Sequence, residues 1–373
     1  MGISIAARPG ARAASITLAG VPLPDVLRKL LTAAGPSGYE TAPAAVFAEA
    51  GRAFTDDVTV DIMGSAVARV AGTTPDGPLL AIVGHIDEIG LIVTHIDDNG
   101  FLRFMGVGGW DAQILVGQRA ELITMSGPLP GVVGRKAIHL LREEDRKKVP
   151  ELRDLHIDIG AKDGDEARAL VRIGDVAVIA GEPLELAGER VVSRSMDNRL
   201  GAFIALEAAR MVAEAGGAPG DVAACGVVQE EITFGGARTS AYSLQPDVAI
   251  VVDVTHETGS PGVDVNEIGK HEFGAGPVIE RGSVLNPVVF ELLHATAERE
   301  QIPFTVQASA RSTGTDADAI HLSRAGVPTG GVSIALRYMH SPVEMVQLSD
   351  IDACARLIAA FGQSLSSETS FAR

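Results

Sequence analysis

Apolar positions along the chain follow two grammars. In "PLPDVLRKLLTAAG", Val26, Leu27, Leu30 and Leu31 recur at helical spacing between a Pro-Asp start and a closing glycine, which predicts an amphipathic helix. A second helix is predicted over about 41 to 54, after the loop "GPSGYE". Continuous apolar runs of strand length follow: "DVTVDIMGSAVARV", "PLLAIVGHID" and "IGLIVTHID". The interval from about 88 to 178 differs from both flanks. It is rich in Gly and Val and broken by turns such as "GVGGWD", "MSGPLPG" and "AKDGDE", which predicts a small β-barrel or sandwich.

From about 190 onward, helix and strand patterns alternate. "SMDNRLGAFIALEAARMVAEAGG" is helical, "DVAACGVVQ" and "DVAIVVDVT" are buried strands, and "IPFTVQAS" is a third. "TDADAIHLSRAG" reads as a helix, "TGGVSIAL" as a last strand, and a helix from Ser349 closes the chain. Strands apolar throughout and alternating with helices indicate a mostly parallel central sheet covered by helices on both faces. The expected fold is therefore an α/β domain made of residues 18–87 and 179–373, interrupted by an inserted β domain over 88–178. Residues 1–17 read as a flexible N-terminal extension, since they carry arginines and no acid but no continuous apolar core of the signal-peptide kind.

Composition narrows the function. A chain of 373 residues, 46% hydrophobic and 21% charged, can bury a large core. Its formal net charge of −17 opposes binding to nucleic acid or to an anionic membrane surface. No apolar stretch reaches the roughly 20 residues needed to cross a bilayer. Cys225 and Cys354 both sit in apolar patterns, so a disulfide framework is not expected and a reducing cytoplasm is the simplest location.

Five stretches place acids or histidine just beyond a buried run, where open α/β sheets bind ligands. "AIVGHIDEIG" offers His85 and Asp87, "SRSMDNRLG" Asp197, "VVQEEITFGG" Glu230 and Glu231, "AIVVDVTHE" Asp253, and "RYMHSPVEM" His340. Each has a plain structural alternative: a core histidine satisfied by Asp87, a helix cap at Asp197, a turn at Asp253, a loop at His340. The glutamate pair fits no such alternative, because no Lys or Arg stands beside it to balance the charge. Together the residues match a recipe for a two-cation hydrolase: an imidazole and a carboxylate on each ion, one carboxylate shared, and one more acid free to take a proton. Zinc and cobalt accept such mixed N/O ligands, whereas calcium prefers oxygen alone.

The strings "GHIDEIGLIV", "SMDNRLG", "VVQEEITFGGARTS", "IVVDVTHE", "GTDADAIH" and "RYMHSPVEM", in this order, resemble the glutamyl and deblocking aminopeptidases. These are dinuclear metallopeptidases of clan MH whose members build tetrahedral (TET) particles. The likeness runs from "PSGYE" to the final helix. It implies a phosphorylase/hydrolase-like peptidase domain carrying a PDZ-like dimerisation domain over 88–178. It implies two divalent ions per subunit, Zn²⁺ or Co²⁺, with Asp197 bridging them. His85 and Asp253 would complete one ion's set and Glu231 and His340 the other's, with Glu230 as general base and Asp87 orienting His85. Short peptides would be the substrates, and dimers would assemble into a tetrahedral homododecamer.

Some details depart from this pattern or fall outside it. Asn198 stands where many relatives have a second aspartate, and Ala275 in "FGAGP" where a larger residue is usual. Asp316 reads as a helix cap or a substrate-side group, and His95, His139, His156, His256, His271, His294 and His321 match no ligand position. Rival readings are an N-acyl amino acid deacylase using the same site, a glycan hydrolase needing two carboxylates and no metal, and a non-enzymatic assembly protein.

Overall fold

The computed structural model describes residues 22–373; the extension expected over 1–17 lies outside them. Helices Asp25–Thr32 and Thr41–Gly51 come first, the second stopping short of the predicted end. Strands β1 (Val58–Val60), β2 (Ala66–Val70) and β3 (Leu80–His85) follow. The chain then leaves the domain for a closed barrel of β4 (Gly90–Ile96), β5 (Leu102–Val107), β6 (Arg119–Thr124), β7 (Gly127–Arg135), β8 (Leu155–Asp158) and β9 (Val176–Ile179), arranged β4-β5-β8-β7-β6-β9. It returns through the hairpin β10 (Leu184–Leu186) and β11 (Arg190–Ser193) and the long helix Met196–Glu214. Strands β12 (Val222–Val227), β13 (Val248–His256), β14 (Val278–Gly282), β15 (Thr305–Ser309) and β16 (Thr329–Leu336) complete the central sheet. Strand β17 (Glu344–Gln347) pairs with β11, and helix Leu348–Ser364 follows it.

The central sheet has eight strands in the order β1-β2-β12-β3-β13-β16-β14-β15. Its middle four, β12, β3, β13 and β16, are mutually parallel, and both β3 and β12 are buried at every residue. Alternate side chains serve different layers. Leu80 and Ile82 of β3 join a cluster with Leu200, Ile204 and Leu357, while Ala81 and Val83 pack with Ala237, Ala241 and Ile320 on the opposite side. Such two-sided burial is why these strands read as unbroken apolar runs. The barrel has its own core, built on Leu91, Leu102, Phe104, Leu122 and Ile157.

Close packing brings helix Met196–Glu214 against β3. A Cβ on Gly84 would sit 2.3 Å from the Gly201 carbonyl carbon, so glycine at this position lets the helix start beside the strand end that carries His85. The expected helix over "TDADAIHLSRAG" shrinks to Ala317–Ile320. The glutamate pair, read from sequence as a strand end, instead opens the helical turn Glu230–Thr233. Gln229 ahead of it takes a left-handed conformation (φ 60°) that turns the chain out of β12. Neighbouring side chains on that turn diverge by about 100° rather than pointing to opposite faces. Cys225 and Cys354 are both buried and unpaired. Among the described residues no helix is long and apolar enough to cross a membrane.

Candidate active site

The structure brings all seven predicted residues together at the C-terminal ends of the central strands. His85 is the last residue of β3, and Asp253 lies in β13, where it pairs with Ser333 of β16. Asp197 lies at the irregular start of helix Met196–Glu214, where Asp197 and Asn198 have non-helical dihedrals and the bond between them is cis. The Asn198 amide donates to Val252 O at 2.7 Å and its carbonyl oxygen accepts Gly201 N–H at 2.8 Å, tying this turn to β13.

Asp197 stands between two imidazoles. Its Oδ1 lies 3.2 Å from His85 Nε2 and its Oδ2 3.4 Å from His340 Nε2. Glu230 is on the His85 side, 3.7 Å from Nε2, and Glu231 on the His340 side, 3.5 Å from Nε2. Two overlapping trios have ligand atoms within 4.8 Å of one another: His85, Asp197 and Glu231, and His85, Glu230 and Asp253. His340 takes its orientation from the barrel, since its Nδ1 is 3.0 Å from Gly109 O. Asp87 approaches His85 Nδ1 to 3.4 Å, but its shortest contacts lie elsewhere. Its oxygens accept the N–H groups of Glu230 and Glu231, each at 3.1 Å, and the Ser37 hydroxyl at 2.7 Å.

The electrostatics follow from crowding acids where water is scarce. Burial pushes the Glu230 carboxyl up to about 9, helped by Asp316 and Glu231, and the Glu231 carboxyl up to about 8, helped by Asp197. Burial and Asp197 also hold Asp253 well above the usual carboxylate range. The hydrogen bond to Asp197 raises His340 to about 9. Burial opposes the charged form of His85, yet Glu230, Asp197 and Asp87 hold its pKa well above normal. Burial likewise opposes ionisation of Asp197, but the two imidazoles outweigh it and keep this carboxylate charged. Four acids and two imidazoles with only nitrogen and oxygen donors fit zinc- or cobalt-like divalent cations, whose charge would reverse these carboxylate shifts.

The cluster opens onto a cavity of about 440 Å³, walled away from the acids by Phe234, Val254, Thr255, Gln307 and Met339. Sequence reasoning set aside or missed several of its neighbours. His256, set aside as a non-ligand, lines the cavity. Asp316 sits at the head of Ala317–Ile320 without capping it, and both its carboxylate oxygens are buried without a partner. Glu40 accepts the Gln229 N–H at 3.0 Å, and Glu344 accepts those of Asp197 and His340. No side-chain motif announces Glu40 or Glu344, because their partners are backbone groups that every residue carries.

An α/β domain that gathers these groups over such a cavity, beside an inserted barrel, is that of a hydrolase. Residues 64–357 match the model of the M42 glutamyl aminopeptidase family. The lysyl aminopeptidase of Pyrococcus furiosus is 33% identical over 346 residues, 91% of this chain and 97% of the relative. Among solved structures, a TET aminopeptidase from the marine sediment archaeon Thaumarchaeota archaeon SCGC AB-539-E09 superposes with a TM-score of 0.86 at 34% identity, covering 92% of this chain and 96% of the other. The Pyrococcus horikoshii TET1 peptidase, which can assemble into a tetrahedron or a large octahedral shell, does so with 0.81 at 31% identity, covering 91% and 99%. The chain belongs to the M42 glutamyl aminopeptidase family and is a peptidase.

Proposed function

We propose that this chain is a metal-dependent aminopeptidase that removes N-terminal residues from short peptides at a two-cation site. The observation that carries the proposal is the Asp197 carboxylate, one oxygen toward His85 and the other toward His340, with a glutamate on each side. His85 and Asp253 would hold one ion, Glu231 and His340 the other, and Asp197 both. Zinc or cobalt bound there would lower the pKa of a water and polarise the scissile carbonyl.

The protein's own groups do the rest. Glu230 takes a proton from the attacking water as its oxygen bonds to the carbonyl carbon. It delivers that proton to the leaving nitrogen as the C–N bond breaks. Asp87 aims Glu230 by holding its N–H, and it backs His85. The cavity walls of Phe234, Val254, Thr255 and Met339 would take the side chain of the first residue.

In this reading residues 18–87 and 179–373 form the catalytic domain, and the barrel within 88–178 pairs subunits. Exposed Met105, Val132, Ile138, Leu140 and Val149 on the barrel side support pairing, as does assembly in the TET relatives. A tetrahedral dodecamer is the expected particle, and a cytoplasmic site suits two buried, unpaired thiols.

The test is turnover of aminoacyl p-nitroanilides and N-acetyl amino acids by stripped protein reloaded with Zn²⁺, Co²⁺ or Mn²⁺, alongside Glu230→Gln. Expected is cation-dependent cleavage of the free-amine anilides, with Glu230→Gln reduced by orders of magnitude while keeping its metal. Near-normal turnover by that variant would remove Glu230 as base. Full activity in chelator would remove the metals, and cleavage of only the acetylated substrates would make the enzyme a deacylase.

A further inference from the structure

Glu344 begins β17 opposite Ser193 of β11, the strand that leads directly into the Asp197 turn. It is 2% exposed. Its Oε2 accepts the Asp197 N–H at 3.1 Å and its Oε1 accepts the His340 N–H at 2.9 Å. The two recipients are remote in sequence and lie in irregular turns. Ser195 (φ 59°), Tyr338 (φ 60°) and His340 itself (φ 58°) are left-handed, so both turns are irregular between their anchors, Asn198 for the one and the Arg337–Met345 bridge for the other. Gly109 O of the barrel loop orients the His340 ring, and the Arg337–Met345 backbone pair closes the ends of this turn.

We propose that Glu344 is a positioning residue: one buried carboxylate that fixes the distance between the Asp197 and His340 backbones and so the cation affinity of the Asp197–Glu231–His340 side of the site. This inference rests on the two-cation reading above. Its physical basis is the narrow tolerance of coordination. Ligand atoms must sit about 2.0–2.2 Å from a zinc-like ion, and constellations of this kind work only when held to within about 0.5 Å. His340 Nε2 lies 3.4 Å from Asp197 Oδ2 and 3.5 Å from Glu231 Oε1, so the imidazole stands between these two carboxylates. Asn198 and the β11–β17 ladder hold the surroundings, but the Glu344 carboxylate is a side chain that bonds both backbones directly, so losing it would loosen that spacing. Asp197 also faces His85, but that contact runs through the side chain and leaves the Asp197–His340 backbone separation unset.

Glu344→Gln tests this, because it keeps the size of the side chain but leaves one N–H facing an amide NH₂ instead of an acceptor. Glu344→Asp keeps the charge but is too short to reach both groups, and it carries the same expectation should the Gln variant not fold. Stripped wild type and variants are titrated with Zn²⁺ by calorimetry, and bound metal per chain is counted after dialysis. Wild type should take two ions. The variants should take one ion as wild type does and the other about 10–100-fold more weakly, the cost typical of losing a group that supports a ligand. Excess Co²⁺ should restore most of kcat, while thermal unfolding of the stripped proteins stays close to wild type. Two ions bound with wild-type affinity would overturn the role of Glu344. So would equal weakening of both ions, which would mark a general structural effect. A wild-type protein that binds no ion would sink the two-cation reading itself.

Discussion

Replacing Glu40 with glutamine should remove a pH dependence from the protein's stability. Glu40 is 5% exposed and spends one oxygen on two backbone N–H groups, Gly38 at 2.6 Å and Gln229 at 3.0 Å. Burial pushes its carboxyl up from 4.5 to about 7, with the Asp87 charge adding to the shift and the N–H donors opposing it. The folded protein therefore holds the Glu40 proton more tightly than the unfolded chain does. That contribution is complete below pH 4.5 and is lost as pH rises through about 7. The rise from 4.5 to about 7, at about 1.36 kcal/mol per pH unit, sets a ceiling of about 3 kcal/mol. Solvent screening near the loop reduces the expectation to about 1–2 kcal/mol. The glutamine of Glu40→Gln would keep an oxygen for both N–H groups and would have no proton to lose. Denaturant midpoints of both proteins, stripped of metal and at one protein concentration, should coincide near pH 5. By pH 8 the variant should lead by that margin, with turnover changed only a few-fold because the Gln229–Glu231 turn keeps its anchor. Parallel pH curves for the two proteins would refute the reasoning, and so would a variant that is weaker at every pH.

Other changes test the packing around the site. Phe47, fully buried against β12 beneath Gly226, should cost about 3–5 kcal/mol as Phe47→Ala, read as a lower denaturant midpoint. Arg199 is also fully buried, donating to Leu30 O, Ala33 O and Glu88, so Arg199→Met should cost about 3–5 kcal/mol by stranding the Glu88 charge; an unchanged midpoint would show that Arg194 alone neutralises Glu88. Gly108 sits at φ 76°, and a Cβ there would come within 2.5 Å of Ile89 and 3.3 Å of Glu231 Oε2. Gly108→Ala should cost about 1–3 kcal/mol in strain and lower activity by disturbing Glu231, with the barrel's circular dichroism retained. Wild-type turnover in that variant would mean that the barrel loop does not touch the chemistry.

What the sequence determined was local and periodic. Two-sided burial made β3, β12, β13 and β16 legible as apolar runs, and the Gly- and Val-rich, turn-broken stretch between β3 and β12 read as a separate β unit. His85, Asp87, Asp197, Asp253 and His340 could be singled out because each follows or begins an element whose period is readable. Only the tertiary structure decided how the glutamate pair is presented. Gln229 turns left-handed because Glu40 and Asp87 are there to accept the N–H groups of residues 229 to 231, so Glu230 and Glu231 diverge from a helical turn and not from a strand. Glu344 and Glu40 stayed invisible, and the burial of Asp316 unread, for one reason. Their placement is set by contacts between segments far apart in the chain, and nothing in the residues beside them encodes where a distant backbone N–H, or a buried void, will lie.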